Sequence, residues 1–163
     1  QINFIVPANL TPGPATIIVS NPAGSYALGT SQITDTAPGI FSADASGAGN
    51  AAALATSDGV SIQSAPFDVN VNGRQNVLLL FGTGLRHAAA ANSADENGVA
   101  EAVQVTIEGQ PAQVLYAGAQ PQFAGLDQLN VVLPANLKPG ARDVDVVISV
   151  NGAQANRVTI KLR

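Results

Sequence analysis

The chain has 163 residues, enough for one comfortable domain or two small ones. Seven basic and eleven acidic residues leave a net charge of −4 with no Lys/Arg cluster, which argues against a nucleic-acid or anionic-membrane surface. Hydrophobic residues reach 46% but aromatics only 4%, and Cys, Met and Trp are absent. The core must therefore be built from Val, Ile, Leu and Ala, and disulfides, thiolate metal sites and cysteine nucleophiles are excluded.

In chain order, Ile2–Val6 reads as a strand ended by Pro7, Ala15–Ser20 as a second closed by Asn21-Pro22-Ala23-Gly24, and Ser25–Thr34 as a looser third. Ala37-Pro38-Gly39-Ile40-Phe41 reads as a connector with two apolar anchors. Residues 44–50 are small and polar and mark the expected domain boundary. Beyond it, Ala51–Thr56, Val60–Gln63 and Phe67–Val71 are strand-like, the last meeting Asn72-Gly73, a dipeptide suited to a type I′ turn. Val77–Phe81 is continuously apolar and is expected to be a central strand buried on both faces. Residues 86–98, Ala-rich and polar, form the longest expected loop.

Val103–Glu108, Ala112–Ala117, Gln128–Leu133, Asp143–Val150 and Val158–Leu162 complete the strand set. Alternation points Asp143 and Asp145 to solvent with Val144 and Val146 inward, and likewise Lys161 outward between Ile160 and Leu162. No segment keeps helical periodicity over three turns. The expectation is an all-β chain of immunoglobulin-like β-sandwiches. Residues 45–163 supply about eight strands, enough for a complete sandwich, and residues 1–44 about three, too few to cover their own faces and edges.

An internal repeat sharpens that imbalance. Gln1-Ile-Asn-Phe-Ile-Val-Pro-Ala-Asn-Leu-Thr-Pro-Gly13 returns as Gln128-Leu-Asn-Val-Val-Leu-Pro-Ala-Asn-Leu-Lys-Pro-Gly140, with eight of thirteen positions identical. The later copy follows Val103–Glu108 and Ala112–Ala117, which are available to it as strand partners; the earlier copy has no counterparts ahead of it. A chain that starts inside a strand, without an initiator Met, suggests upstream sequence that has been removed or is not shown.

Five motifs in order resemble a known family: Gln-Ile-Asn-Phe-x-Val-Pro at 1–7, Ala-Pro-Gly-Ile-Phe at 37–41, Gly-Asn-Ala-Ala-Ala-Leu at 49–54, Val-Leu-Leu-Leu-Phe-Gly-Thr-Gly-Leu at 77–85 and Pro-Ala-x-Val-Leu-Tyr-Ala-Gly at 111–118. Over essentially the whole chain the sequence is similar to the C-terminal domain of large secreted proteins of the Solibacter type in the Acidobacteria. The resemblance implies secretion and immunoglobulin-like modules akin to the IPT/TIG class. It implies no activity, so it transfers no functional residue. In longer relatives the Gln-Ile-Asn motif follows further strands, and this chain departs from them by beginning there.

Catalytic chemistry has little to draw on. His87 is the single histidine, and neither a nucleophile nor an orienting acid accompanies it in any recognisable motif. Gly82-Thr-Gly84 lacks the third glycine and following helix of a phosphate cradle and reads as a turn leaving a buried strand. Residues 92–98 (Asn-Ser-Ala-Asp-Glu-Asn-Gly) could gather calcium ligands, but their spacing fits no EF-hand and a solvated loop is the simpler reading. Phe4, Phe67 and Phe81 lie within strand-like runs, and Phe41, Tyr116 and Phe123 follow the family's core-like motifs, which leaves carbohydrate platforms weakly supported. No enzyme activity, catalytic residue, metal or cofactor is expected, nor membrane insertion, since no apolar run approaches the ~18 residues of a span.

The expected site is instead an intermolecular strand formed by Ile2, Phe4 and Val6 as one apolar row, with Ile5 on the other side. Burying those four side chains is worth roughly 6–12 kcal/mol, against an association cost on the order of 4–15 kcal/mol. One strand is marginal, so a durable link needs more sheet. The expected function is that of an extracellular or cell-surface fibre subunit, joined head-to-tail to other copies of itself by strand complementation. The alternative is a stalk or adhesion module of a larger secreted protein, whose missing strands lie upstream in the same precursor.

Overall fold

The computed structural model describes residues 2, 4–7, 9–85 and 103–163, and every regular element among them is a β-strand. Chain contacts form two compact units, one of Phe4–Asp35 and one of Gln1–Asn3 with Thr36–Arg163. The smaller holds one hairpin, β1 (Gly13–Ser20) paired antiparallel with β2 (Tyr26–Ile33) through a loop in which the Asn21 side chain accepts the Ser25 N–H.

The larger unit contains β3 (Gly39–Ile40), β4 (Ala53–Thr56), β5 (Asn70–Val71), β6 (Arg74–Gln75), β7 (Val77–Thr83), β8 (Val103–Ile107), β9 (Gln110–Ala112), β10 (Val114–Ala119), β11 (Asp127–Val132), β12 (Arg142–Val150), β13 (Ala153–Gln154) and β14 (Val158–Leu162). One sheet runs β10-β11-β7-β3, with β4 also on β7; the other runs β13-β12-β8-β9, with β14 on β12. Alternation decides what each strand buries. Leu78, Leu80, Leu129 and Val131 from the first sheet, and Val105, Ile107, Val146, Ile148 and Ile160 from the second, belong to one core cluster. Asp143, Asp145 and Lys161 face solvent. The fold of this unit is a two-sheet β-sandwich.

Positive-φ pairs at Asn72-Gly73, Glu108-Gly109 and Asn151-Gly152 turn the β5–β6, β8–β9 and β12–β13 hairpins, the backbone that type I′ turns require. Gly82 and Gly84 have another reason to be glycine. A Cβ on Gly82 would collide with the carbonyl oxygen of Gly39, and one on Gly84 with that of Ala37. The Gly-Thr-Gly turn therefore lets residues 37–40 run backbone-to-backbone against β7. Asn156 fastens the same segment from the loop between β13 and β14: its Oδ1 accepts the Ile40 N–H at 2.7 Å, while its Nδ2 donates to the carbonyls of Ile40 and Gly47.

Several expectations change. The compact units divide at 35/36, ahead of the small polar run at 44–50. The reason is that residues 37–41 are no connector: β3 pairs with β7, Ile40 is buried, and Ser42 bridges Ala51. Val60–Gln63 is not a strand, because the Asp58 carboxylate accepts the N–H groups of Val60 and Ser61 and curls the segment; only Gln63 pairs, with Ala55. Val77–Phe81 is central, yet buried fully on one face only; Val77, Leu79 and Phe81 are half-buried on the outward face. Val103–Glu108 does not flank Gln128–Leu133. The turn at Glu108-Gly109 keeps β8 and β9 in the second sheet, and the chain crosses to the first sheet only at β10. His87 and the 92–98 calcium candidate lie outside the described residues.

A fragment of residues 36–163 should give a well-dispersed amide spectrum by itself, whereas a fragment starting at residue 45 should lose dispersion, having lost β3 and the Asn156 clamp. Gly82→Ala should destabilise the larger unit by roughly 1–3 kcal/mol in urea denaturation, the usual cost of forcing packed backbone apart.

Candidate functional site, an uncovered strand and hairpin

The two copies of the repeat share local chemistry and differ in what surrounds them. Each ends in a glycine whose φ lies where L-residues rarely go, Gly13 at 149° and Gly140 at 125°. Each then leads directly into a hairpin, β1–β2 after the first and β12–β14 after the second. The second copy shows what this sequence looks like when satisfied. β11 is hydrogen-bonded along β10 on one side and along β7 on the other. Its inner row and continuation, Leu129, Val131 and Leu133, are each 0% exposed.

The matching positions in the first copy are Ile2, Phe4 and Val6, and they are 65%, 59% and 50% exposed. Ile5, which matches the outward Val132, is exposed as well, and none of the four carries strand pairing. Leu10 repeats the contrast, at 47% exposed against 5% for Leu137. The structure thus places the whole expected set, Ile2, Phe4, Ile5 and Val6, in one exposed run.

The hairpin that follows is a part of the surface that sequence reasoning passed over. In β12 and β14 the side chains Val144, Val146, Ile148, Val158 and Ile160 are buried in the core. In the register of β1 with β2, Ile18 faces Leu28 and Ser20 faces Tyr26, so one face carries Ile18, Leu28 and Tyr26, exposed by 63–68%. Ile17 and Val19 are exposed on the opposite face. Apolar residues on both faces of a strand pair are the mark of a sheet covered on both sides. The signal was present in Thr16-Ile-Ile-Val19 as a run without alternation. No Asp, Glu, Lys or Arg occurs in the first 34 residues, so this surface has no charge to desolvate.

The aromatic residues follow a different pattern from the expected one. Phe67 is buried, but Phe41, Tyr116 and Phe123 are exposed rather than core. Among the described residues no group of three or more His, Asp or Glu side chains converges. The two carboxylates with shifted acidity serve loops. The Ser46 hydroxyl, then its N–H, and the Ser42 hydroxyl hold the Asp44 pKa down at about 2, from an ordinary 3.8. The N–H groups of Val60 and Ser61, with the hydroxyls of Ser61 and Thr56, hold Asp58 further below the usual carboxylate range.

Comparison of the chain with protein-family models, with curated proteins and with solved structures finds no match. Function is therefore argued from the geometry of the chain itself.

Both loop carboxylates have depressed folded-state pKa values, so the order they confer is present above the unfolded value near 3.8 and is lost as pH falls through the folded value. An NMR titration should show the Ser46 amide moving with a midpoint near pH 2, and Asp44→Asn should abolish that step.

Proposed function

We propose that the chain is a non-enzymatic structural protein in which residues 2–35 are completed by β-strands from outside those residues. One observation carries the reading: the matching row is wholly buried in the second copy, at Leu129, Val131 and Leu133, and at least half exposed in the first, at Ile2, Phe4 and Val6. Each such side chain contributes roughly 1.5–3 kcal/mol when fully buried, against an association cost on the order of 4–15 kcal/mol. The strand supplies four, which is marginal, and Ile18, Leu28 and Tyr26 of the hairpin bring the total to a sufficient surface. We read the partner as another copy of the chain. The donor run and the strand it joins are different surfaces of the chain, so the contact is heterologous, and where it does not close on itself it propagates into a filament.

The immunoglobulin-like character of the larger unit is part of this proposal, supported by two five-stranded sheets over one core and by the change of sheet between β9 and β10. So is an extracellular or cell-surface setting, which rests on the resemblance to Solibacter-type secreted domains. The non-enzymatic reading rests on one histidine, no cysteine and no catalytic motif.

A second reading is favoured by chain order. Both neighbours of β11, β7 and β10, precede it in sequence. Equivalent partners for the first copy would then lie upstream in the same precursor, and the chain would belong to a stalk or adhesion module.

Electron microscopy of the purified chain separates the two, because filaments form only when copies complete one another. The proposal expects filaments, more abundant in sodium sulfate, which strengthens apolar burial. Phe4→Asp should abolish them, since an unpaired carboxylate in an apolar interface is costly, while the amide spectrum of residues 36–163 stays unchanged. Filaments from Phe4→Asp equal to wild type would overturn the reading.

A further inference from the structure

We infer that the acceptor for the 2–6 segment is the outer edge of β10 in a second copy of this chain. The inference rests on the self-assembly reading above and adds the address of the contact. The larger unit has one closed flank and one open flank. On the closed flank, β14 is stitched to non-strand segments: Thr159 bonds Gly49 and Ala51, and Phe67 bonds Lys161 and Arg163. At the other side of the first sheet, β10 is bonded to β11 along one edge, and among the described residues no strand pairs with its other edge.

That edge lacks two of the devices that keep sheet edges apart, although its register with β11 shifts once, between Val114 and Tyr116. Val114-Leu-Tyr-Ala-Gly-Ala119 contains no proline and no charged residue, and Leu115 and Tyr116 stand exposed on it. The nearby edge of the second sheet, β9, is only three residues long and contains Pro111. The chain has eighteen charged residues (7 + 11), yet none between Gly109 and Leu126 and none in the first 34. Donor and acceptor are therefore both neutral, and neither strips water from a charge on docking. Compatibility is already displayed within the chain, because β10 pairs antiparallel with β11, the other copy of the donor sequence. The resulting sheet order is the partner's 2–6 segment, then β10, β11 and β7.

The chain contains no cysteine, so single-cysteine variants report this contact cleanly. Ile5 lies off the buried row, and Leu115 and Ala119 are exposed on β10. An Ile5→Cys preparation is mixed under mild oxidation with Leu115→Cys or Ala119→Cys. Val60→Cys, on the well-exposed Asp58 turn, is the control. Adjacent strands bring Cα atoms within disulfide reach. Docking should enrich the cross-copy disulfide about tenfold or more over the control, through the raised effective concentration. Leu115→Lys, which charges the edge, should suppress filaments while leaving the fold of residues 36–163 intact. If filaments form but cross-linking favours neither β10 position over Val60→Cys, the β10 address is wrong and self-assembly stands. If wild type forms no filaments and the Ile5→Cys mixtures give no cross-links, the self-assembly reading falls and the address falls with it.

Discussion

A β-strand has two edges and two faces, and apolar sequence commits it to having them occupied. In this chain the commitment is met at β11 and repeated, unmet, 127 residues earlier (128 − 1). β11 lies between β10 and β7, and its inner side chains close against the opposite sheet. Remove either neighbour and a row of backbone N–H and C=O groups would face no partner, along with three side chains that need the core. At β7 itself, Gly82 and Gly84 let the 37–40 segment pair with that strand, and Asn156, in the loop between β13 and β14, holds the segment in place.

The first copy of the repeat is followed by a hairpin, as the second is, but among the described residues it carries no strand pairing of its own. Its local geometry is the same where local sequence decides it, as at Gly13 and Gly140, and its burial differs where distant strands decide it. Local structure can be specified by a thirteen-residue motif; coverage cannot. That separation is what the proposal of outside strands rests on. A surface with no charged side chain in its first 34 residues suits permanent burial better than permanent solvation.

Much of the fold was legible in the sequence because alternation is a local signal: the faces of β12 and β14 follow directly from Asp143, Asp145 and Lys161. The uneven supply of strands was legible too, as three strand-like runs in residues 1–44 against about eight beyond. Pairing was less so. β8 and β10 both looked available to the second repeat, and the positive-φ turn at Glu108-Gly109, which commits β8 to β9, carries no Asn-Gly signature. Residues 37–41 read as a connector because a two-residue strand has no period, and its role depends on glycines more than forty positions away, at 82 and 84. Val60–Gln63 was misread because an aspartate two residues upstream captured its amides. The hairpin's share of the candidate surface was missed because the run Ile17-Ile18-Val19 is too short to tell a strand covered on both faces from one covered on a single face until its exposure is seen.

The central claim is that the first repeat is unpartnered in the isolated chain and acquires strand partners on association. Amide hydrogen exchange of residues 2–6 and 13–33, followed as protein concentration rises, tests it directly. The account predicts fast exchange at residues 2–6 in the dilute monomer, and protection across both segments that grows with concentration. Slow exchange at residues 2–6 in the dilute monomer would contradict it, because the strand would then already be paired within its own chain.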